Sequence, residues 1–277
     1  MAALLALGAA LSWGAGDFLG GLATRRIAVL TVLVVSQAVG LGGVLLWVVV
    51  AAEPFPGVAE LLPAAGAGVS GVVGLAALYR GFAVGAMGIV APISAASPLV
   101  PLTVDAAHGV VPGTIQWLGV ALVVAGIVTL SREPSPVGGQ RLAAGASLAI
   151  VAALGFGGFI VGIDAGADES APWAVVAART ASVAVVVAVA LLTTTSLRPP
   201  SRLMPMLVAV GVFDTGANVS VAFATTKGAA GIVSVLGALY PVVTVVLARL
   251  VLTERLGMGR RVGGGLALAG AALVAAG

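Results

Sequence analysis

Gly85-Ala86-Met87-Gly88-Ile89-Val90 and Gly228-Ala229-Ala230-Gly231-Ile232-Val233 stand 143 positions apart, and a proline follows ten residues after the second glycine of each, Pro98 and Pro241. In a chain of 277 residues this spacing is close to half the length, so the two stretches read as matched points of a duplicated half. Around them the chain is 60% apolar and 8% charged, with a mean hydropathy of +1.20. A soluble domain carries about 25% charged residues to solvate its surface, so this chain is read as solvated by lipid. A duplicated half in such a chain points to a membrane transporter built from two repeats.

Crossing a hydrocarbon core of about 30 Å takes roughly 20 apolar residues in a helix. Turn and charge signals divide the chain into ten such runs: 2–23, 29–51, 61–82, 86–106, 114–131, 141–163, 171–194, 203–225, 229–251 and 259–276. The expected fold is an all-α integral membrane protein of ten transmembrane helices. Residues 1–133 and 141–277 would form the two five-helix repeats, with 134–140 as the linker. Five spans is an odd number, so the second copy must enter the membrane in the opposite sense and the repeats are inverted. Gly16 and Gly20 in span one match Gly158 and Gly162 in span six, a spacing that favours close helix packing. Pro98 and Pro241 fall inside spans four and nine, where each removes a backbone hydrogen bond. Interrupted helices at membrane depth are tolerated where they line a cavity or are buried in protein, so both prolines are candidate gating points. The apolar N-terminus lacks the Lys or Arg that opens a secretory signal, and its match to span six argues against cleavage.

Several function classes are disfavoured by composition. Cysteine is absent and histidine occurs once, which leaves no ordinary zinc ligand set. No Walker sequence is present, so ATP is not the direct energy source, and no cofactor is expected. An intramembrane enzyme would need a nucleophile and base or a metal cluster that the sequence does not offer, and the chain is read as a non-enzyme. The net charge of +3 is spread over short loops instead of one patch, which argues against nucleic acid. Loops after the odd spans up to nine carry Arg25, Arg26, Arg80, Arg132, Arg141, Arg198, Arg202, Arg255, Arg260 and Arg261, while the opposite end carries Lys227 with Glu53, Glu60, Asp164, Asp168 and Glu169. The positive-inside rule places the arginine-rich end in the cytoplasm and both termini outside a cytoplasmic membrane that the chain crosses many times. Trp47, Trp117 and Trp173 fall near the arginine-poor end, as an interfacial aromatic belt would.

Ionisable groups inside a span cost about 2.5–3.5 kcal/mol each at a helix centre, so each is a functional candidate. Asp214 lies near the middle of span eight, with Asn218 at i+4 and Thr225 at i+11 on the same face, and the matched positions of the first half are Gly71, Leu75 and Phe82. Arg179 in span seven matches Gln37 in span two. Its guanidinium could pair with Asp214 or bind a solute carboxylate bidentately. Asp17 shares a face of span one with Trp13. It is open to two readings, a proton carrier or an ion pair with Arg25 or Arg80. Tyr240 precedes Pro241, and its hydroxyl needs a partner when buried. The candidate solute-binding set is therefore Trp13, Asp17, Gln37, Arg179, Asp214, Asn218 and Tyr240. The partners expected are a small-molecule substrate and membrane lipid, with proton coupling through Asp17 or Asp214 open, in a monomer or homodimer. A non-transporting membrane scaffold is the alternative.

Trp13-Gly14 in span one, Gly-Ala-x-Gly-Ile-Val followed by proline in spans four and nine, and Thr253-Glu254-Arg255-Leu256 after span nine together resemble the EamA-type transporters of the drug/metabolite transporter superfamily. The resemblance covers both halves. It implies a ten-helix carrier with a central cavity, working by alternating access and often exporting amino acids or other small metabolites. Two features depart from it: Val110-Val111-Pro112-Gly113 replaces the Glu-Arg motif in the first half, and the family's usual cytoplasmic termini oppose the arginine distribution.

Overall fold

A computed structural model describes residues 1–24, 26–84, 93–94, 96–131, 139–193, 197–251 and 257–277. The first hexapeptide copy, Thr253-Glu254-Arg255-Leu256, Arg25 and most of the linker lie outside the described residues. Everything regular among the described residues is helical: α1 (Ala2–Thr24), α2 (Val29–Val50), α3 (Val58–Val84), α4 (Leu99–Ala107), α5 (Thr114–Ser131), α6 (Gly139–Ala167), α7 (Ala171–Leu192), a 3₁₀ turn Ser201–Leu203, α8 (Met204–Thr225), α9 (Ala230–Gly237), α10 (Tyr240–Val251) and α11 (Met258–Ala276). In hydrocarbon every backbone polar group must be satisfied within its own segment, which these apolar runs achieve only as helices. Six of the helices are long and apolar enough to cross a membrane, and shorter apolar helices cover 114–129, 230–244 and 261–276.

Two spans differ from the sequence expectation. The run 229–251 is two helices, interrupted at Ala238-Leu239, just ahead of Pro241. Pro241 is the second residue of α10, where its missing N–H would have had no intrahelical partner. The run 86–106 is described as α4 with Pro98 as the residue that precedes it, so Pro98 also starts a helix. At the start of α7, Ser170 Oγ accepts from the Trp173 backbone N–H at 3.4 Å, and Pro172 occupies the first turn. The Trp173 indole N–H then donates to the Glu53 carbonyl at 3.2 Å, and its ring meets Phe55 edge-on at 5.0 Å.

α3 packs along α6 and α1 along α8; α2 lies on α7 and α8, α7 also on α3, and α5 on α11. Small residues set these approaches, because helices in lipid gain their association from close packing. The contacts recur at matched positions. A Cβ on Gly14 would stand 2.8 Å from the Tyr240 carbonyl and overlap Val243; a Cβ on Gly157 would stand 2.7 Å from the Ser97 carbonyl and overlap Val100, each position 143 further or earlier. Ser12 Oγ donates to the Phe213 carbonyl at 2.8 Å, and Ser70 Oγ donates to the Gly155 carbonyl at 2.8 Å, the same two positions with donor and acceptor exchanged. Gly119 abuts Gly270 as Gly126 abuts Gly263. The core is accordingly small-residue and aliphatic, with Ile127, Ile163, Leu207 and Leu236 among its largest fully buried side chains.

Candidate functional site

At the meeting of α2, α7 and α8 the bundle encloses a charged centre. Arg179 Nη1 lies 2.7 Å from Asp214 Oδ2, with the arginine side chain 4% exposed and the aspartate 30% exposed. The same Nη1 donates a short hydrogen bond to Gln37 Oε1, and Gln37 Nε2 reaches Asp214 Oδ2 at 3.5 Å. Ser182 Oγ, one turn from Arg179 on α7, shares its proton between Gln37 Oε1 (3.2 Å) and the Ala178 carbonyl (2.8 Å). Gln37 therefore accepts from the arginine side and donates to the aspartate, a role that needs the amide's two unlike ends. The helices come this close because Gly211 sits against the Ser36 carbonyl and Gly40 against Thr215. Among the described residues, Arg179 Nε and Nη2 and Thr215 Oγ1 are buried without a hydrogen-bond partner.

One turn along α8, Asn218 Oδ1 accepts from the Trp13 indole N–H at 3.0 Å, and the far edge of the Trp13 ring faces Gly237 at the end of α9. Trp13 is thus fixed between α8 and the interruption of the α9–α10 pair. Gly14, next to it, receives a bond at its carbonyl from Thr244 Oγ1 at 3.2 Å, which ties α1 to α10. Tyr240 is half-buried at the start of α10. Asp17 is exposed on α1 and carries no ion pair with Arg80 among the described residues; it lies within electrostatic reach of Asp214. Trp13 and Asn218 are bonded to each other, and Gln37, Arg179 and Asp214 form a second bonded group one turn away on α8; Asp17 lies near Asp214, and of Tyr240 it is the backbone carbonyl that approaches Gly14. Thr225 does not join them. It bonds the Ala222 carbonyl and sits beside Asp164 at the other end of α8.

A second polar contact was not expected from the sequence. Asp105 Oδ2, in the last turn of α4, accepts from the Gly231 backbone N–H at 2.7 Å. The residue before α9, Ala229, has no side-chain cap to offer, so a carboxylate from another helix takes that place. The approach is tight, since a Cβ on Gly231 would stand 2.8 Å from Leu102 Cα. Asp105→Ala is expected to destabilise the protein by about 1 kcal/mol, the usual worth of an N-terminal helix cap. Asp105→Asn keeps an acceptor and should cost less. Thermal unfolding in detergent micelles measures both.

The EamA-like transporter family profile matches residues 1–132 and again 143–276. The chain belongs to the EamA-like transporter family. It is therefore a multi-pass membrane protein of the drug/metabolite transporter type. A solved crystal structure with 19% sequence identity aligns with this EamA-like chain at a TM-score of 0.80, covering 98% of this chain and 95% of that one. At that identity the likeness concerns the fold alone. No curated protein matches the sequence.

Proposed function

We propose that this EamA-like protein is a secondary transporter that moves a small metabolite, an amino acid or similar solute, out of the cell by alternating access. Its halves, 1–133 and 141–277 joined by 134–140, are taken as inverted five-helix repeats. The recurrence of the Gly14 and Gly157 contacts and of the Ser12 and Ser70 hydrogen bonds at matched positions supports that symmetry. The observation that carries the reading is the Gln37–Arg179–Asp214 centre, in which one residue of the first half and two of the second share a buried hydrogen-bond network. A charge inside a span is costly even when paired, so one kept there is a functional candidate by default. Here the charge pair lies where the two halves meet, beside Trp13, Asn218 and the interrupted α9–α10 pair. Rocking of one half on the other would change access to this centre without dismantling either half.

The test is uptake of a solute panel into proteoliposomes with and without an imposed pH gradient. Gradient-dependent flux of at least one metabolite is expected, and Asp214→Asn in a normally folded protein should abolish it. Flux that ignores the gradient for every solute moved would remove proton coupling through Asp17 or Asp214. We further propose that the arginine-rich end is cytoplasmic with both termini outside, and a C-terminal reporter active in the cytoplasm would overturn this.

A further inference from the structure

The atoms of the centre that are left open differ in charge from those that are sealed. Asp214 Oδ2 takes both Arg179 and Gln37, whereas Oδ1 has no hydrogen-bond partner among the described residues, on a side chain that is 30% exposed. Arg179 lies behind it. The arginine is 4% exposed, and its Nε and Nη2 are buried and unpartnered among the described residues, so no solute reaches them past Asp214 in this conformation. Asn218 uses Oδ1 for Trp13, which leaves its Nδ2 without a partner among the described residues, and Nδ2 is not among the sealed atoms.

Asp17 adds a second accessible carboxylate. At about 100° per residue on a helix, it lies about 40° from Trp13, turned toward Gly14. Trp13 faces Asn218 on α8 and Gly14 faces the Tyr240 carbonyl on α10, so Asp17 looks into the space between those helices, where it is exposed. The open side of the centre therefore presents two carboxylates and an indole ring, with the amide of the buried Asn218 at its edge, and its one guanidinium is at the back.

We propose that the solute is recognised through a protonated amine. The ammonium donates to Asp214 Oδ1 with Asp17 close by. Where the solute also carries a hydrogen-bond acceptor, as phenylalanine does, it takes Asn218 Nδ2 one helical turn away, about 5–6 Å between Cβ atoms. The apolar part lies on Trp13, whose face also attracts a cation. Solutes that carry a carboxylate and no amine meet like charge first and are rejected. This rests on the transport reading above only for what happens after binding.

The test uses three probes with the same ring: phenethylamine, phenylalanine and phenylacetate. Quenching of tryptophan fluorescence in the detergent-solubilised protein reads binding, with Trp13→Phe as the control, and counterflow in proteoliposomes reads transport. Phenethylamine and phenylalanine are expected to bind saturably and phenylacetate at least tenfold more weakly. Asp17→Asn, which removes no bond that holds the fold, should weaken phenethylamine several-fold and leave the thermal unfolding temperature unchanged. Phenylacetate binding as well as the amine, an unchanged phenethylamine affinity in Asp17→Asn, or no binding of any probe overturns the proposal. Amine binding without counterflow of any probe upholds it and removes the transport reading instead.

Discussion

Asp214→Ala is expected to lower the unfolding free energy by about 3–5 kcal/mol, because removing one partner of a buried ion pair leaves the other charge uncompensated. The asymmetry of exposure makes the size of the effect predictable in direction. Arg179 is the sealed partner, at 4% exposure against 30% for Asp214, and it already has two buried donors without partners among the described residues. Losing Asp214 leaves Gln37 Oε1 as the partner of the guanidinium among the described residues, and it carries no charge. Arg179→Ala should cost less, since Asp214 keeps Gln37 and can hydrate from its open side. Replacing both, as Arg179→Met with Asp214→Leu, should recover most of the stability lost in Asp214→Ala, as buried pairs often tolerate apolar substitution. Flux should stay absent in the double variant. Thermal unfolding followed by tryptophan fluorescence, together with flux in proteoliposomes, separates the two consequences. An Asp214→Ala protein as stable as the parent would mean that the pair does not hold the helices together.

The same centre shows what a membrane sequence discloses. Charges inside apolar runs stand out against their surroundings, so Arg179 and Asp214 are conspicuous in one dimension, and the matched position of Gln37 adds the third member. Helical periodicity gives angle but not depth. Thr225 shares a face with Asp214, yet eleven residues correspond to about 16 Å along a helix, and it belongs with Asp164 at the end of the bundle. Asp105 was unreadable for a different reason. It lies at a helix end, where acidic residues are common, and its partner is the Gly231 backbone N–H, which has no side chain to signal it. Serines such as Ser12 and Ser70 can satisfy themselves within their own turn, so their bonds to carbonyls of other helices carry no sequence signature. Most helix limits were legible to within a few residues because composition sets them, the fourth run apart, whose described helix starts at Leu99. α3 nonetheless begins at Val58, ahead of the expected 61, and the break in the ninth run falls at 238–239 instead of at the proline itself.

Gly68→Ala and Gly211→Ala should each destabilise the protein by about 1–3 kcal/mol, the usual cost of overpacking a close contact. A Cβ on Gly68 would run into the Ala178 backbone, 2.8 Å from its carbonyl carbon, and a Cβ on Gly211 would stand 2.5 Å from the Ser36 carbonyl oxygen. In both cases the obstacle is backbone, which cannot rotate away as a side chain can, so the helices themselves must separate. Ala178 precedes Arg179 and Ser36 precedes Gln37, so the separation falls next to the charged centre. Asp214 lies three residues beyond Gly211, on the same side of α8. Each substitution should therefore lengthen the Gln37–Arg179–Asp214 contacts and lower flux by more than the loss of folded protein explains. Gly42→Ala and Gly43→Ala are the controls, because nothing lies within 4 Å of a Cβ at either position and alanine favours a helix over glycine. If all four variants unfold at the parental temperature, close backbone packing at Gly68 and Gly211 is not what holds α3 on α7 and α2 on α8. If only the first pair falls, and flux falls further than stability, the glycines set the distance at which the charged centre forms.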